Sequence, residues 1–139
     1  MRAALEAQAR ALGVADDVAM PGFVPDVRPY MARAAGFVLS SRNEGFGLVL
    51  AEALSVGCPV ASFDCPSGPR ELLDDGHLGT LVAPGDVAGL AAAMRAMVAG
   101  TIPRPPAAAV AAHLRQFDPA VIGEEYVALV HGIWSSPRT

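Results

Sequence analysis

Apolar positions along the chain switch between helical spacing and short uninterrupted runs, and their order predicts strands alternating with helices. Residues 1–12 place Leu5 and Leu12 on one face of an Ala-rich helix that stops at Gly13. Val18, Ala19 and Met20 read as a short strand closed by Pro21 and Gly22. Asp26 is placed to cap a helix extending to about residue 35, in which Pro29 fits only the first turn. The run 36–40 reads as a buried strand.

Beyond the loop 41–46, residues 47–56 read as a helix that closes with Gly57 in the C′ position. The run 59–63 is apolar almost throughout, as expected of a central parallel strand covered on both faces. Ser67 or Gly68 opens a short helix through Leu73, Asp75-Gly76 ends it, and residues 79–82 supply a fourth strand. Asp86 caps a helix to about Ala99, a Pro-rich loop spans 102–106, and two helices follow at 107–116 and 119–134, the second started by Asp118-Pro119. This order predicts an α/β domain with a parallel sheet, right-handed crossovers and closing helices that no strand follows. Residues 1–99 form the principal unit of this reading, 100–106 a connecting loop, and 107–139 helices packed on the same domain.

Composition narrows the function. A chain of 139 residues is expected to form one domain. All ten basic residues are Arg and the net charge is −4. No basic stripe is available to neutralise nucleic-acid phosphates. Without Lys there is no P-loop lysine and no Schiff-base or pyridoxal phosphate anchor. Cys58 and Cys65 flank an extended run, and at about 3.3 Å per residue their Cα atoms lie beyond disulfide reach. Unpaired thiols suit a reducing compartment, and the start of the chain has no signal-peptide core. The longest apolar stretch, 46–63, is interrupted by Glu52, Gly57 and Pro59, unlike a membrane span. The expected location is the cytoplasm.

The segment 41–54 carries the chemistry. It orders a strand, a glycine-containing loop and a helix, the arrangement in which unpaired helix N-terminal amides meet a phosphate. Gly45 and Gly47 let a ligand approach the main chain without meeting a Cβ. Glu52 is the only charged residue among positions 46–63, and in so apolar a helix its carboxylate is expected to need a partner: backbone amides, an Arg, or ligand hydroxyls such as a ribose diol. Glu44 precedes the helix, close to whatever a diphosphate would carry. Structural alternatives stay open: Glu52 as a cap on a neighbouring loop, Glu44 as a helix N-terminal charge, and Arg70 in a surface ion pair with Glu71 or Asp74. Arg42 is equally a nucleotide contact or a solvated loop residue, and His77, His113 and His131 read as loop or helix-surface residues. The cysteines lack a third ligand for zinc.

Glu44-Gly45-Phe46-Gly47-Leu48, followed by Glu52-Ala53-Leu54 with seven residues between Glu44 and Glu52, resembles the EGFG-x4-EA motif of the group 1 (family 4) retaining glycosyltransferases. Gly22-Phe23-Val24 resembles the turn upstream of it, and Gly57-Cys58-Pro59-Val60 the G-x-P-V downstream. Gly68-Pro69-Arg70-Glu71-Leu72, with Gly76 and Gly79, resembles the next glycine-containing segment. The stretch 64–71 resembles the branch using UDP-linked hexoses and N-acetylhexosamines. The match runs from about Leu5 to Met97.

The resemblance implies the C-terminal, donor-binding half of a GT-B fold, a Rossmann-like parallel sheet with flanking helices. It implies that Glu44 is catalytic and contacts donor-sugar hydroxyls, and that the Gly45 loop with the amides of Phe46, Gly47 and Leu48 meets the sugar and diphosphate. It assigns Glu52 to the ribose diol and the main chain around Val24 to the base. The expected reaction is glycosyl transfer with retention, to an acceptor hydroxyl, from a nucleotide sugar that is UDP-linked. Neither a cofactor nor a divalent metal is expected, and no D-x-D motif is present. The family's opening strands, its loop of Arg and Lys that neutralises the diphosphate, and its N-terminal acceptor-binding domain are expected outside this chain, in a longer chain or a separate subunit, and membrane contact only through that other half. A non-catalytic nucleotide-sugar-binding module and one subunit of a split enzyme are the competing readings.

Overall fold

The largely apolar run 59–63 becomes the middle strand of the sheet. In the computed structural model, which describes residues 1–135, β1 (Phe37–Leu39), β2 (Val60–Phe63) and β3 (Thr80–Val82) form a parallel sheet in that order. Phe37 pairs with Val60, Val38 with Ala61 and Leu39 with Ser62; Ala61, Ser62 and Phe63 pair in turn with Thr80, Leu81 and Val82. All positions of β2 are buried, Ser62 included, as its largely apolar character predicts.

Alternation along β2 divides the core into two layers. Ala61 and Phe63 face α5 (Val87–Val98), packing with Val82, Leu90, Ala93 and Met97. Val60 joins the opposite layer, where α2 (Arg28–Arg33), α3 (Leu48–Ser55), α4 (Pro69–Leu72) and α6 (Ala107–Leu114) bring in Met31, Leu50, Leu54, Leu72 and Val110. The remaining helices are α1 (Arg2–Ala11) and α7 (Pro119–Ser135). Tyr126, Val127, Val130 and Trp134 of α7 are exposed. Among the described residues, no helix is long and apolar enough to cross a membrane.

Local signals act where the residue chemistry demands. At the end of α3, Gly57 takes φ of 67°, its N–H donates to the Leu54 carbonyl at 2.8 Å, and the Cys58 N–H reaches Ala53 at 3.0 Å. These paired bonds satisfy the last carbonyls of the helix, a Schellman closure. Asp86 accepts from the Gly89 N–H at 2.9 Å and Asp118 from the Ala120 N–H at 2.8 Å. Asp26 accepts from the Arg28 N–H at 3.1 Å, so it satisfies the first amide of α2 from one residue ahead of the helix cap, Val27.

One predicted strand does not form. Residues 18–20 pair with no strand among the described residues, leaving three strands rather than four. A short extended run becomes a strand only when a neighbouring edge takes its backbone groups. Here the Met20 carbonyl instead accepts from the Arg2 guanidinium at 2.6 Å, and Val18 is exposed.

Candidate functional site

The loop after β1 leads into α3 through Gly47, whose φ of 86° places it in the left-handed region at the helix N-cap. A side chain there would strain the backbone and crowd Leu50, since an added Cβ would lie 3.4 Å from Leu50 Cδ1. The Leu50 N–H turns back onto the Gly47 carbonyl at 2.8 Å, while the amides of Leu48 and Val49 have no acceptor among the described residues. They form the positive end of an eight-residue helix.

Two contacts hold this loop against the one after β2. Ser67 Oγ donates to the Glu44 carbonyl at 2.6 Å. Gly68, with φ of 90°, lies so close that an added Cβ would fall 2.1 Å from the Phe46 carbonyl oxygen. The Phe46 ring turns inward and packs edge-on against Phe117, with centroids 5.1 Å apart. Glu44 is half-buried and Gly45 exposed.

A cleft of about 600 Å³ runs along α3 from Leu48 to Ser55. Val24, Arg28, Leu48, Glu52, Ser55 and Leu114 are among its lining residues. Three of the sequence-predicted residues therefore line one cavity: Leu48 and Glu52, both on α3, and Val24, from the loop ahead of α2. Glu44, Gly45, Phe46 and Gly47 form the loop leading into α3 and do not line it.

Glu52 does not have the environment its apolar neighbours suggest. It is exposed on the cleft wall, and no hydrogen bond to its carboxylate forms among the described residues. Leu50, Ala53 and Leu54 make the buried face of α3, and at 100° per residue position 52 lies about 200° round from Leu50, on the opposite side. The expectation that burial forces a partner on Glu52 is thus corrected. Its carboxylate is open to solvent on the cleft wall.

Across the cleft, Arg28 forms a forked pair with Asp26, Nε to Oδ1 at 2.8 Å and Nη2 to Oδ2 at 3.0 Å. Hydrogen bonds from Arg28 hold the Asp26 carboxyl below its ordinary range. The Arg28 guanidinium is held above its own range, first by the hydrogen bond to Asp26 and less by the charges of Asp26 and Glu52.

Other predicted residues take different partners. Arg70 does form a surface ion pair, but with Asp64 and with Asp75 at 3.3 Å rather than with Glu71 or Asp74. His113 is no simple helix-surface residue: its side chain is 14% exposed, and Nε2 lies 2.8 Å from the Glu71 carbonyl. Arg42, His77 and His131 are exposed. Cys58 and Cys65 are both buried and unpaired, and burial pushes the Cys58 thiol up, with the Arg104 charge partly opposing. No group of three His, Cys, Asp or Glu side chains among the described residues is arranged to hold a metal ion.

Sequence reasoning passed over Arg104, Leu114 and Phe117. Arg104 lies in the Pro-rich loop and donates to the carbonyls of Gly57 at 2.9 Å, Ala34 at 3.2 Å and Ala32 at 3.4 Å, so it caps the ends of both α3 and α2. Leu114 and Phe117 follow α3 by more than a full strand-helix unit. No local pattern marks them as belonging to the site.

These features define a class: a parallel α/β domain in which a glycine-containing loop leads from a strand to a helix N-terminus, with a cleft along that helix. A model of the family described as "Glycosyl transferases group 1" matches residues 1–100. The chain belongs to the group 1 glycosyltransferases. It is 38% identical over 76 residues to a lipopolysaccharide 1,6-galactosyltransferase of Escherichia coli, covering 55% of this chain and 21% of that one. It is 30% identical over 133 residues to a phosphatidyl-myo-inositol mannosyltransferase of Mycobacterium leprae, covering 93% and 35%. Among solved structures, Anabaena HepE in complex with UDP superposes with a TM-score of 0.80 at 27% identity, over 92% of this chain and 36% of that one. The apo lipopolysaccharide outer core galactosyltransferase WaaB superposes with a TM-score of 0.76 over 91% and 36%, and at 24% identity supports the fold. The fold is that of a GT-B glycosyltransferase domain. The chain spans roughly a fifth to a third of the length of these proteins.

Proposed function

We propose that this chain is the donor-binding part of a retaining glycosyltransferase that moves a hexosyl or N-acetylhexosaminyl unit from a UDP-linked donor to an acceptor hydroxyl. The observation that carries the reading is the convergence of Val24, Leu48 and Glu52 on one cleft beside the free N-terminal amides of α3. In this reading residues 1–99 bind the nucleotide sugar and the helices from residue 107 to 135 belong to the same domain; the end of the predicted 107–139 segment, 136–139, lies outside the described residues. The UDP held by the similar Anabaena structure supports a uridine nucleotide as ligand.

Each residue has a role that its surroundings suit. The Glu52 carboxylate, exposed and without a hydrogen-bond partner, accepts from the ribose diol. Main chain around Val24 borders the base. The Gly45–Leu48 loop meets the sugar and diphosphate, with the amides of Phe46, Gly47 and Leu48 as its contacts, and Glu44 binds donor-sugar hydroxyls at the reacting centre. In the transfer step the bond from the anomeric carbon to the diphosphate oxygen breaks and the acceptor oxygen bonds to that carbon on the same face. The acceptor proton passes to the departing diphosphate. Amides at the start of α3 stabilise the charge that grows on the leaving group, which accelerates the step more than tight binding of the donor would. An N-terminal acceptor-binding domain or a separate subunit would present the acceptor.

Thermal shift and calorimetry with UDP, UDP-hexoses, GDP and ADP test the reading. Binding of UDP ligands is expected to raise stability, by about 2.7 kcal/mol at a ligand concentration 100 times Kd. If no nucleotide bound, the donor-binding assignment would be abandoned; stabilisation by GDP or ADP but not by UDP would move the donor to another base.

A further inference from the structure

Two side chains from the segment beyond the family match reach the proposed donor site. Residues 1–100 carry the match. Leu114, at the end of α6, lines the cleft with Val24, Leu48 and Glu52. Phe117 ends the 3-10 turn Arg115–Phe117 that follows, and packs edge-to-face on Phe46 at 5.1 Å and an interplanar angle of 70°. Such pairs contribute beyond simple area burial and prefer this T-shaped geometry. On its other side, Phe117 meets the His113 ring edge-on at 5.7 Å. His113 is itself tied to the Glu71 carbonyl, at the second residue after Pro69 in α4.

The loop before α3 is consequently gripped twice. Ser67 and Gly68 hold its backbone from the α4 side, through the Glu44 carbonyl and against the Phe46 carbonyl. Phe117 holds the Phe46 side chain from the α6 side. Phe46 directly precedes Gly47 and Leu48, whose amides open α3. Gly47 alone would leave this junction free to rotate, because a glycine restrains its neighbours less than any other residue. A ring anchored one position earlier removes that freedom.

We propose that Phe117 is a positioning residue for the donor site: by seating the Phe46 ring it orients the loop 44–48 and the amides at the start of α3 toward a nucleoside diphosphate. The proposal rests on the donor-binding reading above. Phe117 touches no ligand in this account and acts through Phe46.

The test compares Phe117→Ala, Phe117→Leu and Val110→Ala in the full 139-residue chain, with UDP as the probe. Val110 is buried on the same α6 helix but lies outside the cleft and the loop. Phe117→Ala is expected to weaken UDP binding about tenfold at a temperature well below its melting point. Phe117→Leu, which keeps an apolar side chain against Phe46 and folds more readily, is expected to recover part of that loss. Val110→Ala is expected to lower the melting temperature while leaving UDP affinity unchanged. Equal UDP affinity in the wild type and both Phe117 variants, or a loss in Val110→Ala as large as in Phe117→Ala, would overturn the proposal. If Phe117→Ala does not fold, Phe117→Leu against Val110→Ala decides the question in the same way. Failure of the wild type to bind UDP overturns the donor-site reading and this inference with it, whereas equal binding by all forms overturns only the positioning role.

Discussion

The hydroxyl of Ser67 donates a 2.6 Å hydrogen bond to the main-chain carbonyl of Glu44, joining two loops 23 residues apart in sequence. The loops follow adjacent parallel strands, so this bond and the sheet register set the same distance. Replacing Ser67 by Ala leaves the Glu44 carbonyl without that donor. A loss of about 1 kcal/mol, or roughly 3–5 °C in melting temperature, is expected by calorimetry. Ser67→Thr, which keeps the hydroxyl, should retain most of the stability. An unchanged Ser67→Ala melting curve would mean that the bond contributes nothing.

Two glycines with positive φ should respond very differently to alanine. Gly57, at φ of 67°, has open space where a Cβ would go, so Gly57→Ala carries only the backbone penalty, about 1 kcal/mol. Gly68, at φ of 90°, would drive its Cβ into the Phe46 carbonyl. Gly68→Ala must shift the loop 44–47 and is expected to cost at least about 2 kcal/mol more than Gly57→Ala in denaturant titration. It should also weaken UDP binding, which Gly57→Ala should not.

Glu52→Gln and Glu52→Ala separate ligand binding from folding. Because the side chain is exposed, either change should leave stability within about 0.5 kcal/mol of the wild type. UDP affinity should fall about tenfold or more, as measured by calorimetry. Unchanged affinity for UDP in Glu52→Ala would contradict the ribose assignment while leaving the fold untouched.

Arg104 ties the Pro-rich loop to the ends of two helices. Arg104→Ala should destabilise the protein by about 1 kcal/mol, since three carbonyls lose a charged donor that water can only partly replace. Arg104→Lys should restore only part of this, because a single ammonium cannot span the same acceptors as a planar guanidinium. Full recovery with Lys in a thermal melt would show that charge alone is sufficient.

Cys58 is buried, and its thiol is held above the ordinary range by desolvation. A raised folded-state value means that the folded chain keeps the proton longer than the unfolded chain. This stabilising contribution is complete below the unfolded value of about 8.5 and is lost as pH rises through the higher folded one. Stability should therefore decline more steeply between pH 8 and 10 in the wild type than in Cys58→Ala. At neutral pH neither cysteine should react with a thiol reagent until denaturant is added, since Cys65 is buried as well.

Much of the domain was legible in order of residues alone. The apolar run 59–63, bounded by Gly57-Cys58 and by Asp64, marked a central strand before any partner was known. Asp86, Asp118 and Gly57 announced helix ends because their chemistry acts within a few residues. The run from Glu44 to Glu52 announced a loop leading into a helix for the same reason, and α3 forms there. Val18, Ala19 and Met20 show where such reading fails: an extended trio has no strand identity until an edge is beside it.

Tertiary structure decided what these local patterns could not. Glu52 stands in the most apolar segment of the chain yet faces water, because the helix rotates it away from the buried face of Leu50, Ala53 and Leu54. Arg70 chose Asp64 and Asp75 over its sequence neighbours, since the end of β2 brings Asp64 and the turn after α4 brings Asp75 within reach. Arg104, Leu114 and Phe117 joined the ends of α2 and α3 and the loop ahead of α3 only through folding of α6 onto α3. Local sequence determines where a strand, a cap or a glycine turn can exist, because those depend on backbone geometry over a few residues. Which distant side chains complete a cleft depends on how the layers pack, and only the folded chain brings Phe117 to Phe46.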